Sequence, residues 1–236
     1  MKIEILFPEV ANLYGDIFNM KYLQQCVPEA EFVEASLESE PTFSIEQVEM
    51  LYMGPMTERS QELVIAKLVP YKEKLIEMIE SNVIFLITGN AIEIFGQFIE
   101  KEDGSKIEAL GIIDTYAKRD MFHRYNSLIL GKMLDMKIVG FKNQFSHSFG
   151  DHGTNYLFEV LRGDGLNPQS KYEGFRKNNF MATYTLGPIL IMNPDFARYV
   201  MNLLGVQKRE LAFEEQARKA YKIRLVEFEN KRVDLS

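Results

Sequence analysis

The pentapeptide Val83-Ile-Phe-Leu-Ile87 is apolar at every position and runs straight into Thr88-Gly89-Asn90. A half-buried strand alternates apolar with polar residues, whereas an unbroken apolar run suits a strand covered on both faces by other elements. The small-residue turn that follows, and the helical spacing of apolar residues over 91–99, make this a strand–turn–helix unit. A chain with such a unit at its centre is constrained to fold around a buried sheet.

The same alternation organises the rest of the first half. Residues 2–7 (KIEILF) predict a first strand, 31–35 a weaker one and 48–53 (VEMLYM) a stronger one, with a helix over 16–25. Over 59–80, Leu63, Ala66 and Leu68, then Leu75, Ile76 and Ile79, follow helical spacing, and Pro70 predicts a kink or a break. Beyond residue 99 strands become frequent, at 125–130, 137–141, 156–161 and 180–185. An amphipathic helix then starts near Pro194, and a charged helical segment covers 206–231. The expectation is an α/β fold with a mainly parallel central sheet flanked by helices. No repeat, low-complexity tract or linker interrupts it, so 1–236 is expected to be one domain.

Composition narrows the function classes. The 27 Lys and Arg against 34 Asp and Glu give a net charge of −7, which argues against a broadly basic nucleic-acid surface. One cysteine, Cys26, leaves no internal disulfide and no multi-cysteine zinc site. No apolar run approaches the ~18 residues of a membrane span, and MKIEILFPEV lacks the apolar stretch of a signal peptide. A cytoplasmic protein is expected, with no membrane span, no nucleic-acid partner and no cofactor.

The stretch 85–97 (FLITGNAIEIFGQ) has the shape of a nucleophile elbow, a tight turn that holds one side chain at the top of a sheet near helix N–H donors. Any glycine-containing strand–helix turn looks alike, so the other segments decide. Phe7-Pro-Glu-Val-Ala-Asn-Leu-Tyr-Gly-Asp16, Gly54-Pro-Met-Thr-Glu-Arg-Ser-Gln61 and Gly140-Phe-Lys-Asn143 come first. Glu173-Gly174 follows, and then Asn178 through Leu190 (NNFMATYTLGPIL). In order, over about residues 5–195, these resemble class I glutamine amidotransferases of the cobyric-acid-synthase type. The most similar branch is the small amidotransferase subunit that pairs with a Mur-ligase-like enzyme to amidate lipid II. Its motifs read Tyr-Pro-x-Leu-Leu-Asn-Leu-Tyr-Gly-Asp, Gly-Gly-Gly-Gln-Asp-Arg-Glu-Gln, Cys-Gly-Gly-Tyr-Gln-Leu-Leu-Gly-Gln, Gly-Phe-Glu-Asn and Gly-Thr-Tyr-Leu-His-Gly-Pro-Leu-Leu. The resemblance implies a flavodoxin-like amidotransferase fold.

The chain departs from that pattern where the family's chemistry lies. In the family an elbow cysteine attacks the glutamine amide, a histidine near the chain's end activates it, and backbone N–H groups hold the oxyanion. Setting Glu93-Ile-Phe-Gly-Gln97 on the family's Gln-Leu-Leu-Gly-Gln puts Gly89 at the cysteine position. Setting Gly187-Pro188 on the family's Gly-Pro puts Leu186 at the histidine position. Neither residue can react. The Gly-Gly-Gly turn reads Gly54-Pro55-Met56, and proline has no N–H to donate. A one-residue slip would bring Thr88 to the elbow, but a threonine hydroxyl without an adjacent base is a poor nucleophile. Cys26, in the first helix, is no substitute. No competent catalytic residue is therefore expected, and Gly54, Pro55, Met56, Thr88 and Asn90 line what remains of the pocket and oxyanion turn.

Two function classes remain. One is a non-catalytic binding or regulatory subunit of a synthetase complex, docked on a Mur-ligase-like subunit or forming a homodimer. Its docking surface would be the strand-end loops, with the segment Asn12-Leu13-Tyr14-Gly15-Asp16 and the 207–231 helix. The other is an amidotransferase that supplies ammonia to a Mur-ligase-like or cobyric-acid-type synthetase. A remodelled pocket could alternatively take an anion at the Gly89 and Asn90 N–H groups. Arg59, Arg124, Asn126 and Asn143 are candidate ligand-binding residues. Arg119 and Arg124 fall near the family's glutamine-binding Arg-x-Ile-Gly-Asn stretch, of which Asn126 survives. His147, Asp151 and His152 offer only three ligands at an unfamiliar spacing, so a polar loop is expected there and no metal.

Overall fold

The first half of the chain alternates as its pattern predicts, through β1 (Lys2–Leu6), α1 (Phe18–Cys26), β2 (Glu31–Ala35), β3 (Met50–Met53), α2 (Glu58–Leu68), α3 (Lys72–Glu80) and β4 (Ile84–Thr88). The structure is a computed structural model and describes residues 1–150, 153–206 and 209–233. Pro70 sits in a 3-10 turn, Val69–Tyr71, that divides α2 from α3, as a residue without an N–H should. Thr57 caps α2 by accepting a hydrogen bond from the Ser60 N–H at 3.2 Å.

The second half is richer in strands than its pattern suggests. It contains β5 (Phe98–Glu100), β6 (Lys106–Glu108), β7 (Tyr116–Arg119), β8 (Tyr125–Met133), β9 (Met136–Gln144), β10 (Ser146–Phe149), β11 (Phe158–Arg162), β12 (Tyr172–Glu173), β13 (Phe175–Lys177) and β14 (Phe180–Thr183). The helices α4 (Ile189–Met192), α5 (Pro194–Leu203) and α6 (Glu214–Glu229) follow.

The central sheet has the order β13-β14-β4-β3-β1-β2, and every pairing in it is parallel except that of β13 with β14. Its five parallel strands run in the 2-1-3-4-5 order of flavodoxin-like sheets, with the direction of winding reversed between β1 and β3. Alternate residues feed two cores. Leu51, Met53, Phe85 and Ile87 pack on one face against Val64 and Leu68 of α2 and Leu75 and Ile79 of α3. Met50, Tyr52, Ile84 and Leu86 pack on the other against Met20 and Leu23 of α1, and Phe196 and Val200 of α5.

Two further sheets dock on these layers, in the orders β10-β7-β5-β6 and β12-β11-β8-β9. Ile99 and Ala117 of the first join the α2/α3 core, and Ile129, Met133 and Ile138 of the second join the α1/α5 core. Two sequence expectations need correction. The helix over 91–99 is a 3-10 segment, Gly89–Phe95, followed by β5. Gly96 is extended there, and a Cβ on it would lie 2.8 Å from the Thr115 carbonyl oxygen, so the chain passes too close to its neighbour to coil on. Among the described residues of the segment expected as helix over 206–231, only α6 is helical. Before it, Leu211 is buried against the α1 layer and Phe213 is left-handed at φ +53.

Candidate functional site

In sheets of this topology the crevice outside the carboxyl ends of the strands is the place where loops meet to form sites. Four loops arrive there. Phe7 follows β1, Gly54-Pro55-Met56 follows β3, Gly89-Asn90 follows β4, and Tyr184 through Leu186 follows β14. Gly89 has φ +61, the left-handed backbone that a sharp strand-to-helix turn demands.

The residues singled out at the reacting positions are packed against one another. A Cβ built on Gly89 would lie 2.5 Å from Pro55 Cβ and 3.2 Å from Leu186 Cδ2. Gly54, Pro55, Met56, Gly89 and Leu186 are all buried. The pyrrolidine ring and the leucine side chain thus fill the volume into which a side chain at 89 would project. Gly54 is needed for a separate reason, since a Cβ on it would lie 2.6 Å from the Ala11 carbonyl oxygen.

Around this apolar plug runs a set of buried polar braces. Asp16 Oδ2 accepts hydrogen bonds from Tyr52 Oη at 2.7 Å and from Thr88 Oγ1, which ties the first loop to β3 and to the end of β4. Burial raises the Asp16 carboxyl above its usual range, against the opposing pull of those two hydroxyls, and pushes Tyr52 up as well. The Leu13 N–H donates to the Pro55 carbonyl at 3.0 Å. Asn90 is occupied on both sides, accepting from the Met56 N–H at 3.0 Å and donating to the Met56 carbonyl at 2.8 Å.

A second brace centres on Glu93, one turn beyond the elbow. Its carboxylate accepts from Gln61 Nε2 at 2.9 Å, from Tyr184 Oη at 2.9 Å and from Ser146 Oγ. Arg119 Nη2 in turn donates to Gln61 Oε1 at 2.8 Å. Burial raises the Glu93 carboxyl, and the hydroxyl and amide donors oppose the shift. Further along, Lys142 and Glu173 form a buried ion pair at 3.1 Å, and Glu173 also accepts from Thr183 Oγ1 at 2.9 Å and from the Tyr184 N–H at 2.8 Å. Sequence reasoning missed both carboxylates as organisers. The signal for Glu93 was present, because it is the one charge in Ala91-Ile-Glu-Ile-Phe95.

The remaining candidates lie outside the plug. Asn126 and Asn143 face each other across β8 and β9; Asn143 Nδ2 donates to Asn126 Oδ1 at 2.6 Å, and Tyr14 Oη donates to Asn143 Oδ1 at 2.6 Å. Arg124 stacks over the Phe145 ring at 4.8 Å. Arg59 is exposed on the first turn of α2. Cys26 is buried beneath the 211–213 segment, where its Sγ accepts from the Ala212 N–H at 3.3 Å. His147 is packed edge-on against Tyr125, and burial lowers its pKa. Asp151 and His152 lie outside the described residues, among which no group of three metal-ligating side chains gathers.

No family model matches the chain. Among curated proteins, the lipid II isoglutaminyl synthase (glutamine-hydrolyzing) subunit GatD of Staphylococcus aureus is 28% identical over 205 residues, covering 86% of this chain and 83% of the relative. The subunit of the same description from Streptococcus pneumoniae is 25% identical over 203 residues, covering 84% and 77%. A solved structure of a glutamine amidotransferase from Thermotoga maritima aligns over 94% of this chain and 92% of its own, at 12% identity and a TM-score of 0.45. The chain is therefore homologous to GatD subunits along most of its length. Among the described residues, no helix is long and apolar enough to cross a membrane.

Proposed function

We propose that this protein is a non-catalytic, amidotransferase-like subunit that works by binding a synthetase rather than by hydrolysing glutamine. The observation that carries the reading is the packing of Pro55 and Leu186 against Gly89, which fills the volume a nucleophilic side chain would occupy. Hydrolysis of an amide needs a nucleophile, a base to take its proton and donors for the oxyanion. At the corresponding positions the chain has a glycine, a leucine and a proline. Thr88 does not replace them, because its hydroxyl is buried and committed to Asp16.

The homology to GatD, described as a subunit of a glutamine-hydrolyzing lipid II isoglutaminyl synthase, supports a role as one subunit of a complex, and the motif resemblance suggests a partner of the Mur-ligase-like type. The test is glutamate release from glutamine by the purified chain, alone and co-expressed with the Mur-ligase-like protein of the same genome. Release is expected to stay at the buffer blank in both. Release above the blank that Thr88→Ala abolishes would show the hydroxyl to be a nucleophile and end the reading; release that survives Thr88→Ala would end it too, through a group elsewhere.

A further inference from the structure

The end of the central sheet away from the plug carries a second concavity. A groove of about 710 Å³ opens between the β8–β9 turn, the segment leading into β11 and the β13–β14 turn. The last of these turns precedes β14, which starts level with β4 at Phe180 and Phe85, so the groove lies toward the amino ends of the strands.

Its charge is cationic. Lys132, Arg176 and Lys177 line it against a single carboxylate, Glu159, in a chain of net charge −7. Lys132 stands directly opposite Glu159 across β8 and β11, yet neither makes an ion pair among the described residues. Lys177 is paired with Glu80, which leaves Lys132 and Arg176 as the available cations. Arg176 is fixed in place: its Nη2 donates to Tyr199 Oη at 2.7 Å, and its guanidinium carbon lies 5.6 Å from the centroid of that ring. Its backbone N–H donates to the Asn155 carbonyl at 2.7 Å, which ties the segment before β11 to β13.

Two features separate the groove from a scatter of surface lysines. The first is a mixed lining. The Thr154 hydroxyl and the Asn155 amide have no side-chain partner among the described residues, and Tyr156 stands beside them, stacked on Tyr172 with centroids 4.2 Å apart. The second is strain in both framing turns. Leu134 holds φ +53 and Asn178 φ +54, the left-handed region. Hairpin turns favour Asn, Asp or Gly at such positions, whereas this leucine is 60% exposed and faces the groove without a packing reason to be there. Strained residues of this kind gather where a ligand is clamped.

We propose that the groove binds a phosphate ester, with the phosphate on Lys132 and Arg176 and the organic part against Leu134 and Tyr156. An arginine fork and a lysine present several charge-assisted donors, and a phosphate has the acceptor oxygens to use them all. The volume is in the range of small-molecule sites and exceeds what inorganic phosphate needs. The site is separate from the plug and does not depend on the fate of glutamine chemistry there.

The experiment titrates the purified chain by calorimetry with adenosine monophosphate, with citrate, and with vesicles of phosphatidylcholine and phosphatidic acid in equal parts. Wild type is compared with Lys132→Ala, Glu159→Gln and, as a control in a different sheet, Lys101→Ala of the β5–β6 turn. Melting curves of the three variants are expected to match wild type, since the altered side chains lie at the surface. Saturable binding of the nucleotide is expected, weakened about tenfold by Lys132→Ala and unchanged by Lys101→Ala. Glu159→Gln is expected to tighten it, because the opposing charge is gone. Saturable binding of the vesicles without the nucleotide would assign the phosphate to a lipid headgroup. Failure of both phosphate probes to bind, equal affinity for citrate, or an equal loss in Lys101→Ala would overturn the proposal.

Discussion

Two clusters meet at the carboxyl ends of the central sheet and are made of opposite materials. The first, Pro55, Gly89 and Leu186, is apolar, buried and in van der Waals contact. The second, Asp16 with Tyr52 and Thr88, and Glu93 with Gln61, Tyr184 and Ser146, is buried, polar and tied by hydrogen bonds, with Asp16 Oδ1 left unpaired. The braces hold the four strand-end loops in register, and the plug fills the space they enclose. The shape of the turn and the filling of the space it encloses are therefore separable, because separate side chains maintain the two.

The contrast is broken most severely by attacking the braces. Glu93→Leu removes the acceptor that Gln61, Tyr184 and Ser146 share; Gln61 keeps the Asn90 carbonyl and Tyr184 keeps Ser148, while Ser146 loses its carboxylate partner and the network loses its buried centre. A loss on the order of 3 kcal/mol is expected, read as a lower denaturant midpoint at unchanged slope. A loss below about 1 kcal/mol would mean that Glu93 is not an organiser.

A smaller effect sharpens the other side. Gly89→Ala forces a Cβ against Pro55 at a left-handed position, and should destabilise by about 2 kcal/mol. In a Pro55→Gly background much of that penalty should disappear, leaving the backbone strain alone. Equal penalties in the two backgrounds would show that Pro55 does not occupy the space.

The smallest effect is a change of pH dependence. Burial raises the Asp16 carboxyl, so the folded state binds its proton more tightly than the unfolded chain does. The stability it contributes is full below the unfolded carboxyl range, about pH 4, and is lost as pH rises through the raised folded value. Asp16→Asn cannot titrate there. Its melting temperature is expected to fall less than that of wild type from about pH 4 to about pH 7. Parallel curves would remove Asp16 from the account.

How much of this was legible in the sequence depended on range. β4 was readable because its five residues are apolar without interruption, and the split between α2 and α3 because Pro70 cannot donate. The short strands β5, β6 and β7 were not, since FIE, KIE and YAKR carry no alternation strong enough to stand without their pairing partners. The spacing over 91–99 fits a helix locally, and the close approach of Gly96 to Thr115 overrides it. The reacting positions were reachable through resemblance, but their mutual contact was not, because Pro55, Gly89 and Leu186 are far apart in the chain. Asp16 packs the first turn, while the Tyr14 ring faces outward.

The claim on which the rest depends is that the plug, and not merely a missing cysteine, closes the site. The direct measurement is glutamate release from glutamine by Gly89→Cys/Leu186→His, compared with the same pair carrying Pro55→Gly and Met56→Gly. The account predicts release near the blank for the double variant, because the new side chain at 89 still meets the proline ring and the turn still lacks a donor whose loss elsewhere costs about 10²–10³ in rate. Release should rise once residues 55 and 56 are glycine. A double variant that is already fully active, with no gain on clearing the turn, would contradict it.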